Sequence, residues 1–314
     1  MCGTCGCTDP DNEIAMIDPE TGKRVLLRSG DDHSHDHDHS HDHDHSHDHT
    51  HSHDHDHSHG HHHHHHHDHG HDHHHHHHDH GHDHHHHGEQ AARVSLETAV
   101  LDRNDRQAAR NRGWFEGRGV VALNLVSSPG AGKTTLLETT IRALEGSLPI
   151  AVIEGDQQTA NDATRIREAG ARAIQINTGA GCHLEADMVA RAVEELAPKS
   201  GSLLLIENVG NLVCPAMFDL GERMKVAVIS TPEGEDKPLK YPHMFRAAEV
   251  VLINKIDLAP HVGFDEAACR SNISSVNPNA RVLLVSARTG EGMDAWYDFL
   301  RAMVSAAADG GCLI

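Results

Sequence analysis

The sequence predicts an α/β protein whose main domain is built on a doubly wound, mostly parallel sheet. Seven short apolar runs, among them LLLI and VVLI, alternate with segments that favour helices. Near-continuous apolar strands are expected when helices cover both faces of a sheet, and regular strand–helix alternation is typical of parallel sheets. Ligands bind such sheets at the C-terminal edge of the strands, and the polar motifs of this chain follow the ends of its predicted strands.

The predicted elements run from residue 120 to residue 306. Strands are predicted at 120–126, 150–154, 172–177, 202–207, 225–230, 249–253 and 281–285. Helices are predicted at 133–145, 160–169, 185–196, 236–247, 265–273 and 292–306. Upstream, apolar residues recur at roughly helical spacing within 89–119, which predicts a structural helix that ends near Gly113.

With 314 residues, the chain has room for one such domain with appendages. The expected parts are a Cys-rich metal motif at 1–8, a flexible linker at 9–32, a disordered His-rich tract at 33–88, a helix and linker at 89–119 that pack on the core, the main domain at 120–308 and a tail at 309–314. Within the linker, a short hairpin around Thr21-Gly22 is an alternative to coil.

The formal net charge of −21 comes largely from 13 aspartates in residues 31–88, and the rest of the chain carries −8. Nucleic-acid-binding proteins need clustered Lys and Arg, so nucleic acid is not an expected partner. No apolar run in the sequence is long enough to span a bilayer, and no secretory signal is visible. We therefore expect a cytoplasmic protein without membrane association, whose seven Cys serve metal chemistry more than disulfides.

Residues 120–136 read VVALNLVSSPGAGKTTL, an apolar run followed by a turn of small residues and a helix start. The ending Gly132-Lys133-Thr134 is typical of a phosphate-binding P-loop, in which backbone N–H groups cradle phosphates, Lys reaches the terminal phosphates and a hydroxyl binds Mg²⁺. Ser127 stands where the strict pattern has Gly, a mild departure. A chance Gly-Lys-Thr in a turn is the alternative. The predicted phosphate-binding residues are Pro129, Gly130, Ala131, Gly132, Lys133, Thr134 and Thr135.

A second nucleotide motif follows the predicted strand at 249–253. Asn254-Lys255-Ile256-Asp257 has the N-K-x-D pattern, in which the Asp carboxylate accepts from the ring N–H and the exocyclic amine of guanine. Ser286-Ala287 follows the next strand and matches a loop that contacts the guanine oxygen through backbone N–H groups. Together with the P-loop, this pattern predicts GTP as the nucleotide.

Acidic residues at two further strand ends are candidates for Mg²⁺ and the γ-phosphate. Asp156 ends the second predicted strand and is a candidate Mg²⁺ ligand beside Thr134, or alternatively a helix N-cap. Glu207-Asn208-Val209-Gly210 has the shape of D-x-x-G, which predicts that the Gly210 N–H contacts the γ-phosphate. Which acid touches the ion directly stays open. With Lys133, these residues form the predicted catalytic set, and because no hydrolytic base stands out, slow or partner-stimulated hydrolysis is expected.

The first eight residues contain Cys2, Cys5 and Cys7. Glycines between them allow a tight backbone, so that three thiolates can converge on one Ni, Cu(I) or Zn ion. A redox role or an accidental cluster is the alternative.

Residues 33–87 hold 35 of the 38 His of the chain and no apolar residue, so the tract cannot bury a core and is expected to be disordered. Neutral imidazoles bind Ni, Zn, Cu and Co, and protonation near a pKa of about 6.5 releases them. The prediction is storage of several ions with modest affinity. The alternative is a solubilising linker or a tag. The proposed ligands are His33, His35, His37, His61, His62, His63 and the other His of the tract.

A second metal site is predicted from two loops that leave the same sheet edge as the P-loop. Cys182-His183 follows the strand at 172–177, and Cys214 lies four residues after Gly210. Two thiolates and an imidazole suit Ni or Zn with an open position, which a second protomer could complete. Closure of Gly210 on a γ-phosphate would move Cys214 and so couple nucleotide state to metal affinity. Inert core packing is the alternative for each Cys.

Taken together, the chain resembles the hydrogenase nickel-incorporation GTPases, the HypB family of metal-chaperone P-loop GTPases. The resemblance covers residues 120–306 through SSPGAGKTT, EGD, GAGCHLEADM, ENVGNLVCP, EDKPLKYPxMF and NKxD, and the N-terminal CxxCGC and His tract also occur there. It implies GTP hydrolysis, Ni²⁺ delivery to the large-subunit precursor of [NiFe] hydrogenase, a homodimer and a partner nickel metallochaperone. It also implies one nickel site at Cys2, Cys5 and Cys7, and a metal site at the dimer interface formed by Cys182, His183 and Cys214.

Two other functions compete with this one. The related GTPase of urease maturation also carries a His-rich N-terminus, although ENVGNLVCP and CxxCGC favour hydrogenase. A nickel storage protein with a vestigial GTPase domain is the second alternative, against which the intact P-loop and NKxD motifs argue.

Overall fold

The computed structural model describes residues 14–18, 21–27, 86–156 and 161–308, with only the backbone of residues 86–97 and 161. Nearly all of them belong to one compact unit, formed by Met1–Gly30 and Ala92–Ile314, while Asp31–Ala91 form a second. The Cys-rich motif, the tail and the His tract up to residue 85 lie outside the described residues, whereas residues 86–88, predicted as the disordered end of the tract, lie in a helix.

The elements alternate along the chain as the apolar pattern predicts. They are β1 (Ala15–Ile17), β2 (Arg24–Leu26), α1 (His86–Gly117), β3 (Val121–Ser127), α2 (Lys133–Leu144), β4 (Ile150–Asp156), α3 (Asn161–Glu168), β5 (Arg172–Asn177), α4 (Ala186–Leu196), β6 (Leu203–Glu207), α5 (Cys214–Met217), β7 (Met224–Ser230), α6 (Lys237–Lys240), α7 (Pro242–Ala247), β8 (Ala248–Asn254), α8 (Ala259–Val262), α9 (Glu266–Val276), β9 (Arg281–Leu284) and α10 (Met293–Ala308).

The strands form a nine-stranded sheet in the order β2-β1-β5-β4-β6-β3-β7-β8-β9. From β5 to β9 every pairing is parallel, so the loops that carry the polar motifs leave a common edge. Strand β3 lies between β6 and β7, which places the P-loop at the centre of that edge.

Helices cover both faces of the sheet, which explains the uninterrupted apolar strands. On one face, α2, α3 and α10 pack through Leu136, Ile166 and Trp296 onto Leu123 and Leu125 of β3. On the other face, α1 and α4 pack over one half of the sheet, and α7 and α9 pack over the other half. In the part of the chain that is described, no helix is both long and apolar enough to cross a membrane.

All seven predicted strands and five of the predicted helices are present, with ends that differ from the prediction by at most three residues. The helix predicted at 236–247 is wrong as a single element, because Pro242 lacks an N–H and disfavours a helical residue before it. Tyr241 accordingly has φ −124° and ψ 53°, and the segment divides into α6 and α7.

Two further differences concern the N-terminal side. The hairpin at Thr21-Gly22 forms, and its first strand also pairs antiparallel with β5, which extends the main sheet. Its strands have three residues each, too few for a visible alternation. Helix α1 continues through Gly113 to Gly117, because the buried side chain of Phe115 packs against the domain and outweighs the low helix propensity of one Gly.

Candidate nucleotide and metal sites

The P-loop connects the buried strand β3 to the N-terminus of α2. Gly130 and Gly132 have φ values of +78° and +94°, which side chains rarely adopt. A Cβ on Gly132 would also lie 2.7 Å from Asn254 Nδ2. The turn therefore needs glycine at positions 130 and 132. It directs the free N–H groups at the N-terminus of α2, a helix of twelve residues, toward one point, which favours the binding of an anion.

Lys133 is buried, and its Nζ donates to the Ser127 hydroxyl at 2.6 Å. Burial lowers the pKa of Lys133, opposed by the charges of Glu207 and Glu233. Ser127, which in turn donates to the Ser128 carbonyl at 2.6 Å, is thus more than a tolerated substitute for Gly. Its hydroxyl holds the lysine over the loop.

Two carboxylates converge on the Thr134 hydroxyl. Thr134 Oγ1 lies 3.0 Å from Glu207 Oε1 and 3.3 Å from Asp162 Oδ2. A hydroxyl with neighbouring carboxylates suits Mg²⁺. Asp162, in the first turn of α3, was not predicted, because no motif marks an acid at a helix start. Asp156 ends β4, five residues before α3, so it is not the N-cap of that helix.

The site contains a buried acidic pair. Glu154 and Glu207 are register partners on β4 and β6, and the Oε2 atom of each has no hydrogen-bond partner among the described residues. Burial, followed by the charge of Glu207, raises the pKa of Glu154 to about 9. Burial also raises the pKa of Glu207 to about 7, opposed by Lys133. Glu154 is therefore protonated at neutral pH, and a cation beside Glu207 would favour its ionised form.

The guanine motif contacts the phosphate loop directly. Asn254 Nδ2 donates to the Ala131 carbonyl at 2.9 Å, and its Oδ1 accepts from the Ala287 N–H at 3.1 Å. Lys255, in the left-handed region at φ 59°, donates from Nζ to the Gly130 carbonyl at 2.6 Å. The structure therefore brings together residues that are more than 120 positions apart in the sequence.

Asp257 is positioned by its neighbour on the following loop. The Ser286 hydroxyl donates to Asp257 Oδ1 at 2.6 Å, which fixes the orientation of the carboxylate. That this carboxylate reads a base edge stays a prediction. The other predicted loop residues differ in what they contact: Thr135 Oγ1 accepts from Arg165 at 3.4 Å, and Pro129 packs against Gly210.

The predicted metal cluster forms at the same sheet edge. The ligand atoms of Cys182, His183 and Cys214 all lie within 4.8 Å of one another. Cys182 Sγ is 3.1 Å from Cys214 Sγ and 3.5 Å from His183 Nδ1. Three potential ligand atoms thus converge from positions as much as 32 residues apart, and the metal site stays a prediction. Cys269, to which no role was assigned, is buried elsewhere, and burial raises the pKa of its thiol to about 11.

His183 is held in an aromatic pocket. Its ring lies 3.8 Å from that of Phe218, centroid to centroid. Burial lowers the pKa of His183 to about 4, so the imidazole is neutral at pH 7, the form that binds metals. Its Nε2 is buried without a hydrogen-bond partner in the described chain. The other ring nitrogen, Nδ1, is the one that lies beside the thiols, and a neutral imidazole with two thiols fits Ni²⁺ or Zn²⁺.

One short segment joins the two sites. Glu207, at the Mg²⁺ candidate site, begins the loop that ends at Cys214. A Cβ on Gly210 would lie 3.2–3.3 Å from Pro129 of the P-loop, so Gly210 is placed where a γ-phosphate would be sensed. Asn211 Nδ2 then donates to the Cys182 carbonyl at 3.3 Å. A movement at Gly210 would reach both cysteines.

Most of the remaining predicted ligands lie outside the described residues. They are Cys2, Cys5, Cys7, His33, His35, His37, His61, His62, His63 and the other His of the tract up to residue 85, while of His86 and His87 only the backbone at the start of α1 is described.

Comparison with known proteins places the chain in a family. Residues 121–284 match the family model described as CobW/HypB/UreG, nucleotide-binding domain. The chain is 63% identical over 214 residues to the hydrogenase maturation factor HypB of Rhizobium leguminosarum, which covers 68% of this chain and 71% of that protein. It is 57% identical over 211 residues to HypB of Escherichia coli K12, with 67% and 73% covered.

Two solved HypB structures are also similar to this chain in fold and sequence. HypB from Archaeoglobus fulgidus has a TM-score of 0.61 and 39% identity, covering 65% of this chain and 99% of that one. HypB from Helicobacter pylori, solved in complex with nickel, has a TM-score of 0.61 and 38% identity, covering 65% and 95%. The P-loop, guanine motif, fold and sequence identity lead to one conclusion: the chain belongs to the HypB hydrogenase maturation factors, P-loop GTPases of the CobW/HypB/UreG group.

Proposed function

We propose that the protein is a GTP-hydrolysing nickel metallochaperone that delivers Ni²⁺ to the large-subunit precursor of [NiFe] hydrogenase. The observation that carries the proposal is the Cys182–His183–Cys214 cluster, in which Cys214 lies four residues after Gly210, the residue that packs on the P-loop. A metal that must be released at a chosen moment needs a site whose geometry changes with nucleotide state. Gly210, packed on the P-loop, connects the two.

In this proposal Lys133 and the α2 N-terminus hold the phosphates, and Asp257 reads the guanine. Thr134 with Glu207, Asp162 or Asp156 would hold Mg²⁺, which supplies positive charge to the β- and γ-phosphates. The chain's part is to position those groups in a buried acidic site. No group among the residues described here is placed as an obvious hydrolytic base, which supports slow intrinsic turnover.

Nickel is the cargo, and zinc is a competitor for the same ligands. Three ligands leave the coordination sphere incomplete, which supports a homodimer that completes it. Cys2, Cys5 and Cys7 are proposed as a separate nickel site, and the His tract as a store that feeds both sites. A partner nickel metallochaperone would exchange the ion with this chain.

The proposal is tested by deleting the gene and measuring hydrogenase activity with and without added nickel. Loss of activity that excess nickel restores is expected, together with complementation by the intact gene and not by a Cys214→Ala gene. Normal hydrogenase activity in the deletion strain at limiting nickel would overturn the proposal.

A second candidate function is a contribution to urease maturation. It is favoured by one relative, the "Hydrogenase/urease maturation factor HypB" of Helicobacter hepaticus, 40% identical over 211 residues. Urease activity measured in the same deletion strain distinguishes the two targets. A purely storage function predicts no GTP turnover, which a phosphate-release assay decides.

Removal of residues 33–87 should lower the number of Ni²⁺ ions bound per chain several-fold and leave GTP turnover within about twofold of the parent. The reason is that the nucleotide-site contacts seen among the described residues lie within 121–308. Equilibrium dialysis and phosphate release measure the two quantities. A matched control replaces the tract with a Gly/Ser segment of equal length. A large loss of turnover in both variants would mean that the tract takes part in catalysis.

A further inference from the structure

One face of α1 lies against both segments that carry the metal cluster. Asn104, Ala108, Asn111 and Phe115 recur at intervals of four, three and four residues, and all four are buried. Two of these core positions are asparagines. Buried amides need hydrogen-bond partners, and the partners of these two asparagines show which segments of the chain α1 holds in place.

Asn104 links the two loops by a donor and an acceptor. Its Oδ1 accepts from the Ala186 N–H at 2.9 Å, and its Nδ2 donates to the Asp219 carbonyl at 2.7 Å. Ala186 is three residues after His183. Asp219 directly follows Phe218, the ring packed on the His183 imidazole.

Asn111, two helical turns further along α1, links the same loops again. Its Nδ2 donates to the Ala186 carbonyl at 2.8 Å and to the Leu220 carbonyl at 2.9 Å. Gly221, with φ +88°, lies so close that a Cβ there would be 2.6 Å from the Ala108 carbonyl oxygen. The segment after Cys214 therefore rests directly on the backbone of α1.

An ion pair closes the arrangement. Arg112 Nη2 contacts both carboxylate oxygens of Asp219, at 2.8 and 2.7 Å. Asp219 Oδ1 also accepts from the Gly221 N–H at 2.8 Å. The Asp219 carboxylate thereby connects the turn at 219–221 to Arg112 of α1 and to the Gly221 N–H. The four hydrogen bonds from the two asparagines fix the same turn relative to Ala186.

We infer that Asn104 and Asn111 of α1 are positioning residues for the Cys182–His183–Cys214 metal site. They set the distance between the His183 loop and the Phe218–Gly221 turn, and with it the placement of the imidazole against the cysteines. This inference depends on the proposed function in one respect, that the cluster binds a metal. It adds that the site's geometry is set by a helix that supplies no ligand.

The physical basis is that a primary amide has two N–H donors and an acceptor, so that one side chain can bond two loops at once: Asn104 donates to one and accepts from the other, and Asn111 donates to both. Alanine at either position leaves buried N–H or carbonyl groups without partners and frees the two loops to separate. Substitution of a residue that orients a metal ligand from outside the coordination sphere typically lowers metal affinity by about 10- to 100-fold. A residue important only for folding would lower stability without changing the electronic spectrum of a bound metal.

The test uses Co²⁺ as the probe in the full-length chain, with Cys2, Cys5 and Cys7 replaced by serine. Thiolate ligation of Co²⁺ gives a near-ultraviolet charge-transfer band, whereas the imidazoles of the His tract give none, and a competing chelator fixes the free Co²⁺ concentration. Asn104→Ala and Asn111→Ala are expected to weaken the affinity measured through that band by about 10- to 100-fold and to shift the visible bands that report geometry.

The matched control is Asn277→Ala. Asn277 also donates from one amide to two backbone carbonyls, those of Phe245 and Ala248, and it bonds neither Ala186 nor the turn at 219–221. It should leave the Co²⁺ spectrum and affinity unchanged. GDP affinity reports folding in every variant. Asn104→Asp, which keeps the acceptor for Ala186 and loses only the donor to Asp219, replaces any alanine variant that no longer binds GDP.

Two outcomes distinguish a failure of this inference from a failure of the proposed function on which it depends. If the parent protein shows no charge-transfer band, the metal site itself is wrong and the inference falls with it. If the parent shows the band and the asparagine variants that bind GDP match it in affinity and spectrum, the metal site stands and the positioning role is overturned.

Discussion

An Asp257→Asn variant is expected to lose GTP affinity by about 10²- to 10⁴-fold and to gain affinity for xanthosine triphosphate. The carboxylate accepts two hydrogen bonds from guanine, from the ring N–H and the exocyclic amine. Hydrogen bonds to a charged group contribute about 1.5–3 kcal/mol each, and the amide N–H of Asn opposes the guanine amine. Xanthine carries a carbonyl at that position, which accepts from the same amide.

The Ser286 contact makes this substitution interpretable. The Ser286 hydroxyl donates to Asp257 Oδ1 at 2.6 Å, and the Oδ1 of asparagine accepts the same bond, so the side chain keeps its orientation. Equilibrium binding of fluorescent GTP and xanthosine analogues measures the exchange. Asp265→Asn is the charge-matched control, since Asp265 caps α9 through the Ala268 N–H. Equal GTP affinity in the Asp257→Asn and parent proteins would show that Asp257 does not read the base.

The positions of these motifs on the sheet edge could be predicted from the sequence for a simple physical reason. Asp257 and the P-loop each follow a buried parallel strand, and parallel strands bring their C-terminal ends to one edge. An apolar run and the motif after it therefore specify the position of a side chain without any knowledge of distances. Cys182 and Cys214 were predicted in the same way, from β5 and β6, although β4 lies between these strands.

The residues that sequence reasoning missed are those whose partners are set by packing. Asp162 starts a helix, and only the placement of α3 against α2 brings it within 3.3 Å of Thr134. Glu154 reads as one polar residue at the end of an apolar strand, yet burial and, after it, the charge of Glu207 opposite in register raise its pKa to about 9. Asn104 and Asn111 occur among many polar residues of α1, and no local pattern distinguishes a solvated asparagine from one that joins two loops. The β1–β2 hairpin was too short to predict its pairing with β5.

The metal cluster gives the second large effect. Cys214→Ala is expected to lower the affinity of the internal site for Co²⁺ or Zn²⁺ by at least about 100-fold, since removal of a ligand should cost at least as much as removal of a residue that supports one. It should also abolish any difference in metal affinity between the GDP-bound protein and the protein with a non-hydrolysable GTP analogue. The reason is that Cys214 is the ligand carried by the Gly210 loop, whose contact with Pro129 places it beside the phosphates.

Cys269→Ala is the matched control, since Cys269 is a buried thiol on α9 that is not among the three residues of the metal cluster. Metal affinities are measured in the Cys2, Cys5 and Cys7 serine background with each nucleotide, together with molecular mass. The parent and Cys269→Ala proteins should show one affinity with GDP and another with the GTP analogue, and Cys214→Ala should show neither tight binding nor a difference. Identical affinities with both nucleotides in the parent would contradict the coupling even if Cys214 proved to be a ligand. The GTPase and the metal site would then be independent functions on one sheet edge, and release of nickel would require a signal other than GTP hydrolysis.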